Sequence, residues 1–100
     1  MTNPTYYSGE SFDIVATFTD NTGTAATPES LNYTIKDSAT GGVVRYATPS
    51  ITSNTYTIPV TITDNTITGE SEERRVVINW TYNGGTKGDI EVYNYRLVQP

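Results

Sequence analysis

Apolar and polar residues alternate through much of this chain, which is the period of a half-buried β-strand. In the segment ESFDIVATFTD, four apolar residues fall on one face: Phe12, Ile14, Ala16 and Phe18. The opposite face is polar except for Val15. The segment is therefore predicted to be a strand with one face in the core.

Three later segments, LNYTIKD, TYTIPVTIT and EERRVVINWTY, repeat this alternation. Their predicted inward residues are Leu31, Tyr33 and Ile35, then Tyr56, Ile58, Val60 and Ile62, then Val76, Ile78, Trp80 and Tyr82. A short strand, VVRYAT, is predicted between the first two. Pro59 falls on the outward side of its segment, where the missing N–H marks an edge strand or a bulge.

The last segment, DIEVYNYRLV, has apolar residues on both faces. Tyr93, Tyr95 and Leu97 share one face, and the other carries Ile90, Val92 and Val98. Two interpretations remain open: a strand covered both by its own core and by a neighbouring subunit, or a strand interrupted by a bulge.

Six or seven strands separated by turn signals, with no helical period, predict an all-β protein. The spacing favours an antiparallel immunoglobulin-like β-sandwich over a small barrel. One hundred residues are expected to form a single domain, residues 1–100, with a short N-terminal arm at residues 1–8. The chain has no cysteine, so it is not a disulfide-bonded antibody-type domain.

Composition narrows the chemistry further. Eleven acidic and six basic residues give a net charge of -5, which disfavours binding to nucleic acid. The absence of cysteine and histidine excludes thiolate or imidazole metal sites and histidine-based triads. The start of the chain lacks a secretory pattern, and no apolar run approaches the length of a membrane span. We expect a soluble, non-enzymatic protein made in a cytoplasm, with no catalytic, cofactor-binding or metal-binding residues.

The stretch RRVVINWTYNGGTKGD is the strongest candidate for a ligand site. Its glycines and Lys87 suggest a phosphate loop, but the spacing of such loops is absent and strands lie on both sides. A hairpin turn at Asn83, Gly84 and Gly85 is the favoured interpretation. Trp80 and Tyr82 suggest a carbohydrate-stacking platform, but Trp80 shares its face with Val76 and Ile78 and is expected in the core.

Several charged or polar positions can be interpreted either as ordinary structural residues or as parts of a functional site. Arg74 and Arg75 follow three acids and are expected at a solvated start of a strand, or, for Arg75, in an ion pair with a neighbouring subunit. The turns at Asp20–Asn21 and Asp64–Asn65 offer oxygens for calcium, but each is expected to form an Asx-turn. Asn32 and Asn79 match the glycosylation acceptor pattern, which is expected to be coincidental.

Nearly the whole chain, from about Gly9 to Val98, resembles small immunoglobulin-like virion structural proteins of tailed bacteriophages. The resemblance is carried by GESFDIVATFTDNTGTAATPESLNYTIKDSATGGVVRY, YTIPVTI and RRVVINWTYNGGTKGDIEVYNYRLV. These stretches contain a strand closing on an Asp-x-x-Gly turn, a Gly-Val step, a Tyr-led strand and a Trp-centred strand.

The resemblance implies a structural protein of the virion, with a capsid decoration or cement role as the leading expectation. Such a protein would contact the major capsid protein or other virion proteins as a homo-oligomer around a symmetry axis, and would bind neither nucleic acid nor membrane. A head–tail junction or neck protein and a surface adhesion or glycan-binding module are the alternatives. An enzyme such as a glycosidase would require two carboxylates about 5–10 Å apart in a cleft.

Overall fold

The computed structural model describes residues 4–82 and 87–100, and these residues form strands and turns without a helix. The prediction of an all-β protein is confirmed. The seven strands are β1 (Thr5–Tyr7), β2 (Phe12–Thr17), β3 (Ser30–Asp37), β4 (Val43–Ala47), β5 (Thr55–Val60), β6 (Ser71–Tyr82) and β7 (Lys87–Val98).

The strands form two sheets that are not closed into a barrel. The larger sheet has the order β1-β7-β6-β3-β4, and the smaller sheet contains β2 and β5. All neighbouring strands are antiparallel except β1, which runs parallel to β7. Both strands of the smaller sheet therefore have one edge without a strand partner among the described residues.

The core lies where the inward faces of these strands meet. Its largest fully buried side chains include Phe18, Ile35, Ile58, Tyr95 and Leu97. The alternation of β2, β3 and β6 is confirmed, since their predicted inward apolar residues are buried or half-buried. These faces supply most of the hydrophobic stabilisation, about 25 cal/mol for each Å² of apolar surface removed from water.

The prediction that Ile62 points inward is wrong. Strand β5 ends at Val60, and the Ile62 side chain is 62% exposed. The chain turns here because the N–H of Asn65 donates to the Ile62 carbonyl, and the carboxylate of Asp64 accepts the N–H of Thr61 at 2.8 Å. These local bonds replace the ladder that a longer strand would need.

Within the segment expected to be an N-terminal arm, Thr5–Tyr7 forms β1. Its residues pair with Arg96–Val98 of β7, and the ring of Tyr6 stacks on Phe12 with centroids 3.9 Å apart. The beginning of the chain is thus attached to its last strand.

The two-sided pattern of β7 follows from its place in the larger sheet. Tyr95 and Leu97 are fully buried, whereas Ile90 and Val92 are exposed on the opposite face. Every residue of β7 pairs with one residue of β6, from Lys87 opposite Tyr82 to Val98 opposite Ser71. A bulge in β7 is therefore excluded. The alternative, a neighbouring subunit on the outer face, stays a prediction.

Candidate functional site

The outer face of the larger sheet carries a row of side chains across four strands, apolar on β4, β6 and β7 and with Thr34 on β3. Tyr46 lies opposite Thr34, Thr34 opposite Val77, and Val77 opposite Val92. Because directly paired residues project to the same face, these side chains are neighbours. Ile90 extends the row along β7. We call Tyr46, Val77, Val92 and Ile90 the outer apolar row.

The outer apolar row is open to solvent. Tyr46 is 59% exposed, Ile90 60% and Val92 54%. Val77, between Thr34 and Val92, is half-buried. Several exposed apolar residues gathered on one face of a small domain are a feature of interaction sites, whereas isolated ones are ordinary. The row is therefore the leading candidate for a protein contact.

Polar side chains border the row on both sides. On one side Lys36 lies opposite Arg75, and the Arg75 Nε donates to Asn94 Oδ1 at 3.3 Å. On the other side Asn79 donates to Asn32 Oδ1 at 3.3 Å, and the hydroxyls of Ser30 and Thr81 are 2.6 Å apart. An apolar centre with a polar rim is the usual arrangement of a protein–protein interface.

Arg74 and Arg75 occupy opposite faces of β6. Arg75 is exposed, but Arg74 is only 4% exposed, so the prediction of a solvated start of the strand is wrong for Arg74. Its Nη1 lies 2.7 Å from the Glu72 carboxylate and 3.6 Å from that of Asp37. Arg74 lies on the same face of β6 as Val76. This alternation is the sequence signal that could have predicted an inward Arg74. The ion pair of Arg75 with a neighbouring subunit stays a prediction.

A largely buried polar cluster joins the two sheets. The Tyr95 hydroxyl donates to Asn65 Oδ1 at 2.8 Å, and Asn65 Nδ2 donates to the Glu10 carbonyl at 2.6 Å. Arg45 Nη1 lies 3.4 Å from Asp64, and its Nη2 donates to the Pro59 carbonyl at 2.8 Å. No pattern in the sequence indicated this cluster, because its members come from strands and turns far apart in the chain.

The electrostatic environment of this cluster is consistent with a structural role. Burial raises the pKa of Tyr95 well above its usual value, so the hydroxyl stays protonated and remains a donor at neutral pH. The Arg45 guanidinium also lies over the Tyr33 ring, 5.4 Å from its centroid. Each polar group thus contributes to holding the 61–65 turn against the core.

The two acidic turns differ from one another. Asp20 Oδ1 accepts the N–H of Thr22 at 2.9 Å, which is the predicted Asx-turn, and also the N–H of Thr24. The hydroxyl of Thr22, followed by these backbone donors, lowers the pKa of Asp20. Asp64 instead accepts the N–H of Thr61 and pairs with Arg45, so the Asx-turn prediction is wrong there. Over residues 4–82 and 87–100, no group of three or more metal-ligating carboxylates converges.

Trp80 lies in the core, as predicted. It is 2% exposed and stacks on Tyr82 with ring centroids 5.0 Å apart, while Phe18 contacts it at the same distance. Trp80 therefore offers no face to a sugar. The predicted turn at Asn83–Gly85 lies outside the described residues, although the flanking strands pair antiparallel as far as Tyr82 and Lys87.

Asn32 and Asn79 are directly paired on the outer face, with Tyr33 and Trp80 buried beneath them. In an amphipathic strand, an outward Asn is followed two residues later by another outward residue. When that residue is Thr, as here, the strand pattern itself generates the acceptor motif.

Comparisons with family models, with curated proteins and with solved structures each gave no match. No helix of the described residues is long and apolar enough to cross a membrane.

Proposed function

We propose that this protein is a structural component of a phage virion, and that it acts as a capsid decoration or cement protein. It binds the outer surface of the shell through many copies of one weak protein–protein contact. The resemblance of the sequence to small virion proteins and the exposed outer face of the larger sheet support this proposal.

The proposed fold behind this role is an immunoglobulin-like sandwich. In such a sandwich the second and fifth strands share one sheet, and the third, sixth and seventh strands share the other. Here β2 and β5 form one sheet while β3, β6 and β7 are consecutive neighbours in the other, which supports the assignment. The protein differs from antibody constant domains in having β1 and β4 in the larger sheet, in lacking cysteine and in carrying its tryptophan on β6.

The outer apolar row is the observation that carries the proposed contact. A single small face gives modest affinity, but an array of copies on a symmetric shell raises the overall affinity by orders of magnitude. Lys36 and Arg75 beside the row, and Asn32 and Asn79 on its other side, supply directional contacts that fix the orientation of the bound copy.

A glycan-binding role receives less support from the described residues. Trp80 is buried, and the two most exposed tyrosines lie on strands at opposite edges of the larger sheet, Tyr7 on β1 and Tyr46 on β4. A sugar platform requires aromatic rings gathered in one patch.

Co-sedimentation with empty heads of the encoding phage tests the proposal. The wild-type protein is expected to pellet with heads at a fixed ratio to the major capsid protein. Tyr46→Asp is expected to reduce the bound fraction about tenfold, because it replaces the aromatic member of the outer apolar row with a charged side chain. Ile62→Asp is the matched control, because Ile62 is equally exposed but lies on a turn away from the row.

Solution mass and a glycan array complete the test. A strict monomer that ignores heads and binds a glycan would overturn the proposal in favour of an adhesion module. Binding confined to one vertex of the head would move the protein to the head–tail junction.

A further inference from the structure

A cleft of about 210 Å³ opens between β2 and the part of β7 that β1 leaves uncovered. Ile14 and Ala16 line one wall, and Ile78 and Tyr93 line the other. Ile14 and Ile78 belong to the hydrophobic core, so the core reaches the surface here. We call this feature the β2–β7 cleft.

The backbone of β7 is oriented for strand pairing beside this cleft. The N–H of Arg96 donates to the Pro4 carbonyl, and the Val98 carbonyl accepts the N–H of Ser8, both at 2.8 Å. Successive residues of a strand direct their N–H and C=O groups to opposite sides, so Val92 and Ile90 direct theirs to the same side as Arg96. Beside Ile90 and Val92, no strand pairs with that edge among the described residues.

β2 presents a second unpaired edge across the cleft. The N–H of Phe18 donates to the Asn54 carbonyl at 2.7 Å, which assigns the even-numbered residues of β2 to the side of β5. Val15 and Thr17 therefore direct their backbone groups to the cleft side. An apolar floor between two strand edges is the geometry in which an extended peptide is bound by strand addition.

Glu91 determines the charge of the cleft. It lies opposite Ile78 on the core-facing side of β7, yet it is exposed at the cleft. Within residues 4–82 and 87–100 its carboxylate has no hydrogen bond or ion pair. An inward-pointing charge at an open strand edge disfavours pairing with most other strands. The same charge favours a partner strand that carries a lysine or arginine.

A second copy of this chain is a poor occupant of the β7 edge. In a symmetric antiparallel β7–β7 pair, the registers centred on Asp89 or Glu91 place one pair of carboxylates directly opposite one another, and the register centred on Ile90 places two such pairs. Like charges in that position are destabilising. A register centred on Val92 avoids this by pairing Glu91 with Tyr93. The net charge of -5 adds to the repulsion between copies.

We propose that the β2–β7 cleft binds an extended segment of a partner protein by strand addition at Ile90–Val92. Apolar side chains of that segment pack against Ile14 and Ile78, and a lysine or arginine pairs with Glu91. That the partner is a virion protein rests on the proposed function. The apolar and cationic character of the bound segment follows from the cleft alone.

Two fluorescein-labelled peptides, TVTKTVT and TVTETVT, test the cleft directly by fluorescence anisotropy. The lysine peptide is expected to bind the wild-type protein about tenfold more tightly than the glutamate peptide. Glu91→Lys is expected to invert this preference. Val92→Pro, which removes the N–H at the strand edge, is expected to abolish binding of both peptides. Ile62→Asp serves as the control that leaves both affinities unchanged.

Failure to invert the preference with Glu91→Lys overturns the proposed cleft, and this variant keeps the test decisive if Val92→Pro does not fold. Self-association of the wild-type protein without peptide binding also overturns it, in favour of a second copy. Peptide binding as expected, without binding to heads, contradicts the virion role and leaves the cleft intact. Equal head binding by wild type and Glu91→Lys, without peptide binding, contradicts the cleft and leaves the virion role intact.

Discussion

The hydroxyl of Tyr95 donates a 2.8 Å hydrogen bond to Oδ1 of Asn65, and both side chains are fully buried. Tyr95 lies on β7, and Asn65 lies on the turn between β5 and β6. The bond therefore connects the turn to the larger sheet. Asn65 also donates to the Glu10 carbonyl, so its amide holds the turn both to β7 and to the segment between β1 and β2.

Removing the Tyr95 hydroxyl is expected to destabilise the protein. Tyr95→Phe leaves Asn65 Oδ1 buried without its donor, which costs about 1–3 kcal/mol of the free energy of unfolding. Urea denaturation monitored by circular dichroism measures the change. Tyr46→Phe is the matched control and should change the free energy by less than about 0.5 kcal/mol, since Tyr46 is exposed. Equal effects of the two substitutions would contradict the assigned role of this bond.

Arg74 and Arg75 provide a test in which neighbouring residues of one type should behave differently. Arg74→Ala is expected to destabilise the protein by about 3 kcal/mol, because it removes a buried side chain and leaves Glu72 and Asp37 close together without their cation. Arg75→Ala should cost less than about 0.5 kcal/mol, because Arg75 is exposed. Thermal unfolding of the two variants under the same conditions makes the comparison.

The alternation of inward and outward residues explains why much of the fold was predictable from the sequence. It located the core faces of β2, β3 and β6. It also places Arg74 inward, although the charge of Arg74 suggested a solvent-exposed side chain. Alternation failed at Ile62, because local hydrogen bonds of Asp64 and Asn65 end the strand before the apolar pattern does. A sequence pattern shows which side of a strand is apolar. It does not show where a side chain that accepts a backbone N–H ends the hydrogen bonding between strands.

Long-range features were not predictable for a different reason. The parallel pairing of Thr5–Tyr7 with β7 involves three residues, too few to display a period. The cluster of Arg45, Asp64, Asn65 and Tyr95 depends on strand order, which places distant residues side by side. The outer apolar row has the same origin, since its members become neighbours only when β4, β3, β6 and β7 are aligned.

Stability is expected to fall in acid partly through Asp20. Its folded-state pKa is below the ordinary value of 3.8, because the Thr22 hydroxyl and two backbone N–H groups donate to the carboxylate. A carboxyl with a depressed folded pKa contributes stability above its unfolded pKa, and this contribution is lost as the pH falls through the folded pKa. Thermal unfolding between pH 5 and pH 2 is therefore expected to show a decrease in Tm that begins near the ordinary pKa.

Asp20→Asn isolates this contribution, because an amide oxygen still accepts the turn hydrogen bonds but does not titrate. The variant should show a shallower decrease in Tm over the same range. Asp13→Asn removes a carboxylate that accepts no hydrogen bond among the described residues and provides the control. An unchanged slope in Asp20→Asn would show that the turn does not contribute to acid sensitivity.

Pro59 is expected to protect the free edge of β5. It lies opposite Asp13, and its carbonyl accepts from Arg45 of the neighbouring sheet, so its backbone faces away from β2. Proline has no N–H to offer at this edge, which limits pairing with another chain. Pro59→Val is expected to restore a donor and to increase self-association with concentration, while the free energy of unfolding changes by about 1 kcal/mol or less.

Light scattering over a concentration series measures the association, with Pro49→Val, a substitution outside the strands, as the control. If Pro59→Val remains monomeric wherever the control does, the edge is protected by Arg45 and the adjoining turn rather than by proline.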